Sequence, residues 1–437
     1  MKTKGYSFSQ IHKIAIPALI AGVAEPLLSI TDSAIIGNSP FKPLESLAAI
    51  GIVGTFISML IWVFGQARSA LSAIISQYYG ANELQKIKQL PAQSIAFIVG
   101  LSLLVLLLSY PFATSIFSFY NATNEVLLFC VSYFKIRIIG LPFALYTFAL
   151  FGVFRGLQNT LFPMLVAISG AVLNVILDFL LVYGYGIVPA MGVEGAALAS
   201  VISQVFMALF STYYLYKKTI FTLQFSLPLH PELKRFTTMV LNLFVRTLAL
   251  NLALYLGTSY ATSYGKTYIA AYTIGVNLWF LGAFIADCYG SAGNIISGKL
   301  WGEKNTKALK ILNKQLMKYS FVLGIVMLTL GLLFYTQIGL FFTTDKIVLQ
   351  HFYSTFWIIL LMQPIAACAF LLDGTFKGMG QMAFLRNVLL VATFVGFVPT
   401  LLLLDYFNLK LHAIWAAFVV WLLLRGGILF YRFKRLI

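Results

Sequence analysis

Apolar residues in this chain run in long stretches, and short connectors between them carry most of the lysines and arginines. Crossing about 30 Å of hydrocarbon takes roughly 20 residues of helix. Runs of that length predict twelve spans: Ile14–Gly37, Ser46–Ile75, Ile95–Phe117, Val126–Phe154, Leu161–Tyr183, Gly192–Tyr216, Phe236–Leu256, Ile269–Ile296, Tyr319–Phe342, Phe352–Phe376, Val388–Asp405 and Leu411–Phe430. Each must be helical, because backbone polar groups find no water partner in lipid. The first run carries Glu25 and Asp32 and lacks a small-residue cleavage site, so it reads as a retained helix rather than a signal peptide.

Composition agrees: 60% of the 437 residues are hydrophobic and 10% charged, against about 45–50% and about 25% in soluble domains. The net charge of +17 does not signal nucleic-acid binding, because the basic residues form no single patch. Placing the N-terminus in the cytoplasm puts 21 of the 30 basic residues on that side. Lys42, Lys135, Arg137, Lys266, Lys346 and Lys410 are left outside, and Arg68, Arg246 and Arg425 within spans. The positive-inside bias therefore predicts that both termini are cytoplasmic. Arg425 is expected to snorkel to the interface. Lys304, Lys307, Lys310, Lys314 and Lys318 have helical spacing and are expected along the inner leaflet, against anionic lipid. Cys130, Cys288 and Cys368 stand far apart, and the four histidines have no ligand spacing, so neither a disulfide framework nor a metal enzyme is expected.

Small motifs recur at a constant offset of 222 residues. Ala48-Ala49 returns as Ala270-Ala271, Gly80 as Gly302, Pro142 as Pro364, Gly152 as Gly374, and Phe154-Arg155-Gly156 as Phe376-Lys377-Gly378. Each half holds six spans, an even number, so both enter the membrane from the same side. The expected architecture is an all-α polytopic membrane protein with two six-helix lobes in parallel repeat: 1–216, a cytoplasmic linker 217–235 containing Pro228 and Pro231, and 236–437. Two lobes that rock about a central cleft suit a transporter, with substrate and coupling ion near the midplane. No filter-like loop suggests a channel.

A charge at the bilayer centre costs at least about 2.5–3.5 kcal/mol, so each buried acid or base is a functional candidate. The candidates are Glu25, Asp32, Arg68 and Asp178 in the first half, and Arg246, Asp287, Asp373 and Arg425 in the second. Asn174 and Asp178 are four apart on one helix face. Their oxygens suit sodium, and with Asp32 as a second desolvated carboxylate they equally suit one shared proton. The competing reading is plain bonding between helices. Arg68, Arg246, Asp287 and Asp373 are expected to neutralise one another in pairs, a structural role. Pro17, Pro26, Pro142 and Pro364 are expected to interrupt their spans. Pro17 and Pro26 flank the stretch leading to Asp32, so the first helix is either permanently kinked or bends with the protonation of Asp32.

The run Ile16-Pro17-Ala18, Glu25-Pro26-Leu27-Leu28 and Thr31-Asp32-Ser33-Ala34-Ile35-Ile36-Gly37 resembles the first helix of the multidrug and toxic compound extrusion (MATE) family. More specifically, it resembles the branch named after DNA-damage-inducible protein F. Arg155-Gly156, Leu173 to Asp178, Gly195 to Ala199, Arg246, Ala286-Asp287 and Asp373-Gly374 follow in that branch's order, so the resemblance spans nearly the whole chain. It implies a twelve-helix, two-lobe exporter of organic, often cationic, drugs, coupled to H+ or Na+. It implies further that Asp32, Asn174 and Asp178 form the coupling-cation site, that Ser200 joins them where relatives carry a small hydroxyl residue, and that Pro17 is linked to bending of the first helix. Glu25 carries no role over.

The expected protein is thus a cation-coupled antiporter, monomeric, in a bacterial inner membrane. It needs no cofactor and no metal beyond a sodium ion at Asp32, Asn174 and Asp178. The aromatic content of 16% suits a cleft for flat lipophilic cations. The alternative is a flippase for lipid-linked saccharides, which Arg68 and Arg246 keep open. An intramembrane enzyme is disfavoured, since neither a metal motif nor a nucleophile–base pair is visible.

Overall fold

The structure is a computed structural model that describes residues 6–38, 40, 42–120, 122–186 and 188–436, with the side chains of 24–30 and 43 outside the described residues. It is an all-α membrane protein. Helix α1 spans Phe8–Gly37. Among the described residues eleven further helices are long and apolar enough to cross a membrane. They are α2 Leu44–Gly80, α3 Leu84–Ser109, α4 Asn124–Gly156, α5 Leu161–Tyr183, α6 Gly192–Lys218, α7 Pro231–Ser263, α8 Lys266–Gly302, α9 Thr306–Leu333, α10 Lys346–Gly378, α11 Met382–Tyr406 and α12 Leu411–Leu436.

Three expectations need correction. The third span lies earlier than Ile95–Phe117 because α3 stops at Ser109, just before Pro111, which disfavours helix in the residue preceding it. Residues Ala113–Phe119 form a separate short helix. The ninth starts not at Tyr319 but at Thr306, where Asn305 Oδ1 accepts the Ala308 N–H at 3.0 Å and caps α9. Lys307, Lys310, Lys314 and Lys318 therefore sit on α9 itself, exposed, with Leu309, Leu312 and Leu316 buried. Pro142 does interrupt α4, behind a 3-10 turn at Ile138–Gly140, but α10 stays helical through Pro364. At Pro364 the neighbouring α9 presents Gly324, where a Cβ would stand 2.4 Å from the proline Cα.

The chain divides into two compact units. One, the N-unit, comprises residues 16–78 and 82–240; the other, the C-unit, comprises residues up to Ala15, 79–81 and from Leu241 onward. The internal repeat appears as the same helix crossing within each. In the N-unit a Cβ at Gly152 would lie 2.6 Å from the Arg68 carbonyl oxygen; in the C-unit a Cβ at Gly374 would lie 1.9 Å from that of Gly290. One turn on, Gly156 meets Ser72 O and Gly378 meets Asn294 O. All four C-unit residues are the N-unit ones displaced by the same 222 positions. Glycine here permits backbone-to-backbone approach, which replaces the hydrophobic driving force that lipid does not supply.

The two interiors differ. The C-unit core is filled by large rings, among them Tyr272, Trp279, Phe352, Phe356, Trp415, Phe418 and Trp421. The N-unit keeps a cavity with about 920 Å³ of unfilled space, its open mouth included.

Substituting Gly374→Ala places a methyl against backbone that cannot rotate away, so a loss of about 1–3 kcal/mol is expected. Gly427→Ala, where a Cβ meets nothing within 4 Å, is the control. Thermal melts of the two purified variants decide it, and equal melting temperatures would count against the tight crossing.

Candidate functional site

Helix α5 buries a stripe at Pro163, Val166, Gly170, Asn174, Asp178 and Val182, one residue per turn, with Ile168, Val172, Ile176 and Phe179 exposed on the other side. Asn174 and Asp178 therefore face the interior of the N-unit together. Tyr183, at the end of the same helix, donates its hydroxyl to the Ile35 carbonyl of α1 at 2.9 Å. That bond sets the height of α1 against α5 and brings Asp32 level with Asp178, carboxyl within hydrogen-bonding reach of carboxyl. Helix α6 completes the group: Ser200 Oγ donates to Asp32 Oδ2 at 3.3 Å, and Asn174 Nδ2 to Ser200 Oγ at 3.5 Å. Asp32, Asn174, Asp178 and Ser200 are all buried, Asp178 at 0% exposure.

The oxygens outnumber the donors. Asp32 Oδ1, Asn174 Oδ1 and both Asp178 carboxyl oxygens are buried with no hydrogen-bond donor among the described residues. Two ionised carboxylates accept only, so their approach leaves a gap that a proton or an oxygen-seeking cation fills. The donor set is all oxygen, which suits a hard cation such as sodium and does not suit zinc or copper.

The cavity opens on this group. Asp32, Asn174 and Ser200 line it, with Phe148 and Phe151 as apolar wall and Ser203 and Gln204 as further polar atoms. Tyr133 and Arg137 also line it. Arg137 was expected among the outward basic residues; it belongs to α4 and faces the cavity. Its position inside the apolar run from Cys130 to Phe151 was the available signal. With Asp32 and Asp178 ionised and Arg137 protonated, the site carries one net negative charge.

Other candidates are distributed elsewhere. Arg68 is half-buried in the N-unit with its Cζ 5.3 Å from the Phe148 ring centroid. Among the described residues of the C-unit, one of the expected pairs forms, Arg246 Nη2 to Asp373 Oδ2 at 2.6 Å. Asp287 is exposed and accepts from Ser291 Oγ at 3.3 Å. Arg425 does not snorkel: it is buried, and its Nη2 meets Asp373 Oδ1 at 3.1 Å, a contact that only the packing of α12 on α10 creates. Lys377 Nζ adds a third cation at 3.5 Å. Helix α1 continues through Pro17; Glu25 and Pro26 lie outside the described side chains.

Residues 17–180 and 243–402 match the family model described as MatE, so that model is met twice, once in each half. The chain is 26% identical to DNA damage-inducible protein F of Escherichia coli over 418 residues, covering 94% of this chain and 89% of that one. It is 23% identical to the probable multidrug resistance protein NorM of Neisseria meningitidis, covering 93% and 89%. A crystal structure described as MATE in the bent conformation superimposes with a TM-score of 0.90 at 21% identity, covering 98% of this chain and 94% of that one.

Proposed function

Because this chain belongs to the MatE family, whose members are membrane transporters and not enzymes, we propose that it exports organic, chiefly cationic, drugs across a bacterial cytoplasmic membrane in exchange for a proton or a sodium ion. The carrying observation is the set of four orphaned buried oxygens on Asp32, Asn174 and Asp178. Left unfilled, each such acceptor costs about 1–3 kcal/mol, so the site demands a cation in every resting state.

One net negative charge accommodates one monovalent cation. A proton shared by Asp32 and Asp178, or a sodium ion held by their oxygens with Asn174, brings the site to neutrality. A cationic drug in the adjoining cavity then loses its electrostatic partner, so ion loading from outside favours drug release. Ser200 orients Asp32 through its hydroxyl, and the rings of Tyr133, Phe148 and Phe151 offer flat surfaces to a lipophilic cation. The two units alternate access to the two sides, with α1 bending at Pro17 as Asp32 changes charge, and both termini stay cytoplasmic. Exchange of one ion for one monovalent drug moves no net charge. A proton gradient then supplies about 1.4 kcal/mol per pH unit, and the membrane potential nothing.

Efflux of a fluorescent cation from proteoliposomes, under an imposed pH gradient and separately under a sodium gradient, tests this. Wild type is expected to export under one of the two, which names the ion, and Asp32→Asn to export under neither. If neither gradient drives wild-type export of any of a panel of lipophilic cations, the drug-export hypothesis fails.

A further inference from the structure

We infer that the cluster of Arg246, Asp373, Lys377 and Arg425 in the C-unit binds an oxyanion, the carboxylate, sulfate or phosphate group of a transported compound, so that amphoteric molecules are better cargo than plain cations. Its transport half rests on the export function proposed above; its binding half does not.

The cluster is out of charge balance. Arginine keeps its proton in proteins, and among the described residues Asp373 is the one carboxylate in ion-pair contact with either guanidinium. Both its oxygens are engaged: Oδ2 by Arg246 and Lys377, Oδ1 by Arg425. Arg246, Arg425 and Lys377 stand against Asp373 and against the exposed Asp287, whose charge also reaches Lys377 and Arg425, and this leaves one positive charge. Side-chain exposures of 7% for Arg246, 6% for Asp373 and 3% for Arg425 place that excess away from water. Buried charge of one sign is costly unless a counter-charge joins it. A cluster serving only to hold helices together would carry as many acids as bases.

The unused donors point to the shape of the counter-ion. Arg246 Nε and Arg425 Nε are buried with no acceptor. The Arg425 guanidinium is covered by rings, its Cζ 4.9 Å from the Phe370 centroid and 5.3 Å from that of Trp421, so its remaining valence lies at its edge. The Nε–Nη edge of a guanidinium presents two parallel N–H groups, which match the two oxygens of an oxyanion and not a spherical halide.

The internal repeat supplies the location. At the offset of 222, Phe151 is the N-unit counterpart of Asp373 and Phe148 that of Phe370, and both phenylalanines line the N-unit cavity. The cluster thus stands where its sister unit faces its cavity, with Phe151 exchanged for Asp373 and the cavity-lining Ser203 exchanged for Arg425.

The test uses the full chain in nanodiscs with radiolabelled sulfate as probe, at constant ionic strength. Wild type is expected to bind sulfate saturably, Arg425→Gln at least tenfold more weakly, and Arg425→Lys in between, because it keeps the charge and loses the planar fork. Asp32→Asn is expected to bind sulfate as wild type does. Folding of each variant is checked by thermal melting; should Arg425→Gln not fold, Arg246→Lys takes its place. No saturable sulfate binding to folded wild type, or equal binding by Arg425→Gln, overturns the site. The transport arm compares a cationic rhodamine ethyl ester with its free acid, the same ring system carrying a carboxylate. Wild type is expected to prefer the acid, and Arg425→Gln to lose that preference. Equal export of both dyes by wild type overturns the cargo assignment. If neither dye is exported the export function fails, while sulfate binding still decides the oxyanion site.

Discussion

Asp178→Asn is expected to reduce gradient-driven dye export to background while leaving the protein at least as stable as wild type. The first half follows from charge. With Asp178 neutral, Asp32 and Arg137 cancel, and the site no longer has the net negative charge that takes up either a proton or a sodium ion. The second half follows from hydrogen bonding. Both Asp178 oxygens are orphaned and wholly buried; an amide of the same size can donate to the unpartnered Asp32 Oδ1 and removes one of two repelling carboxylates. Relieving buried unsatisfied acceptors stabilises by about 1–3 kcal/mol. Export from proteoliposomes and melting of the same preparation measure the two halves together. A variant that is less stable than wild type would mark Asp178 as a structural helix-to-helix contact and not a coupling residue.

Asp373→Asn is expected to show the opposite signature, a loss of stability large enough to lower the yield of folded protein. It removes the one carboxylate that holds Arg246, Lys377 and Arg425 together. The two buried guanidinium groups and the partly buried Lys377 ammonium then face one another, and breaking a buried ion pair from one side costs about 3–5 kcal/mol. The double variant Asp373→Asn with Arg425→Gln has one cation fewer and is expected to be more stable than Asp373→Asn alone. Such rescue is the non-additivity that residues of one network show. Melting temperatures of wild type, both single variants and the double variant close the cycle, and additive losses would show that Arg425 and Asp373 act independently.

Much of the coupling site is written in local sequence, but only within one helix at a time. The spacing of Asn174 and Asp178 puts them on one face of α5 before any neighbour is known. Their meeting with Asp32, 142 positions or more away along the chain, depends on the bond from Tyr183 to Ile35 and on the packing of α6, which no periodicity encodes. Ser200 was reachable only through family resemblance, because a serine in an alanine-rich stripe has no distinguishing pattern. Arg137 was misplaced for a different reason: charge counting set it with the outward residues although it falls inside the predicted span Val126–Phe154, and α4 turns it into the cavity.

The same division runs through the C-unit. Apolar run length by itself determined that this is a helical membrane protein, because lipid allows the backbone no other way to satisfy its hydrogen bonds. The recurrence of Gly152 and Gly156 as Gly374 and Gly378 marked the repeat, and the structure shows helices crossing there, where glycine admits carbonyl oxygens that close. Which charges meet was decided by tertiary structure alone. Arg246, Asp373 and Arg425 lie on three helices far apart in sequence, and each is compatible locally with a lipid interface, a cavity or an ion pair. Only the packing of α7, α10 and α12 selects among these, because the electrostatic energy of a buried group is set by the few ångströms around it and not by its neighbours in the chain.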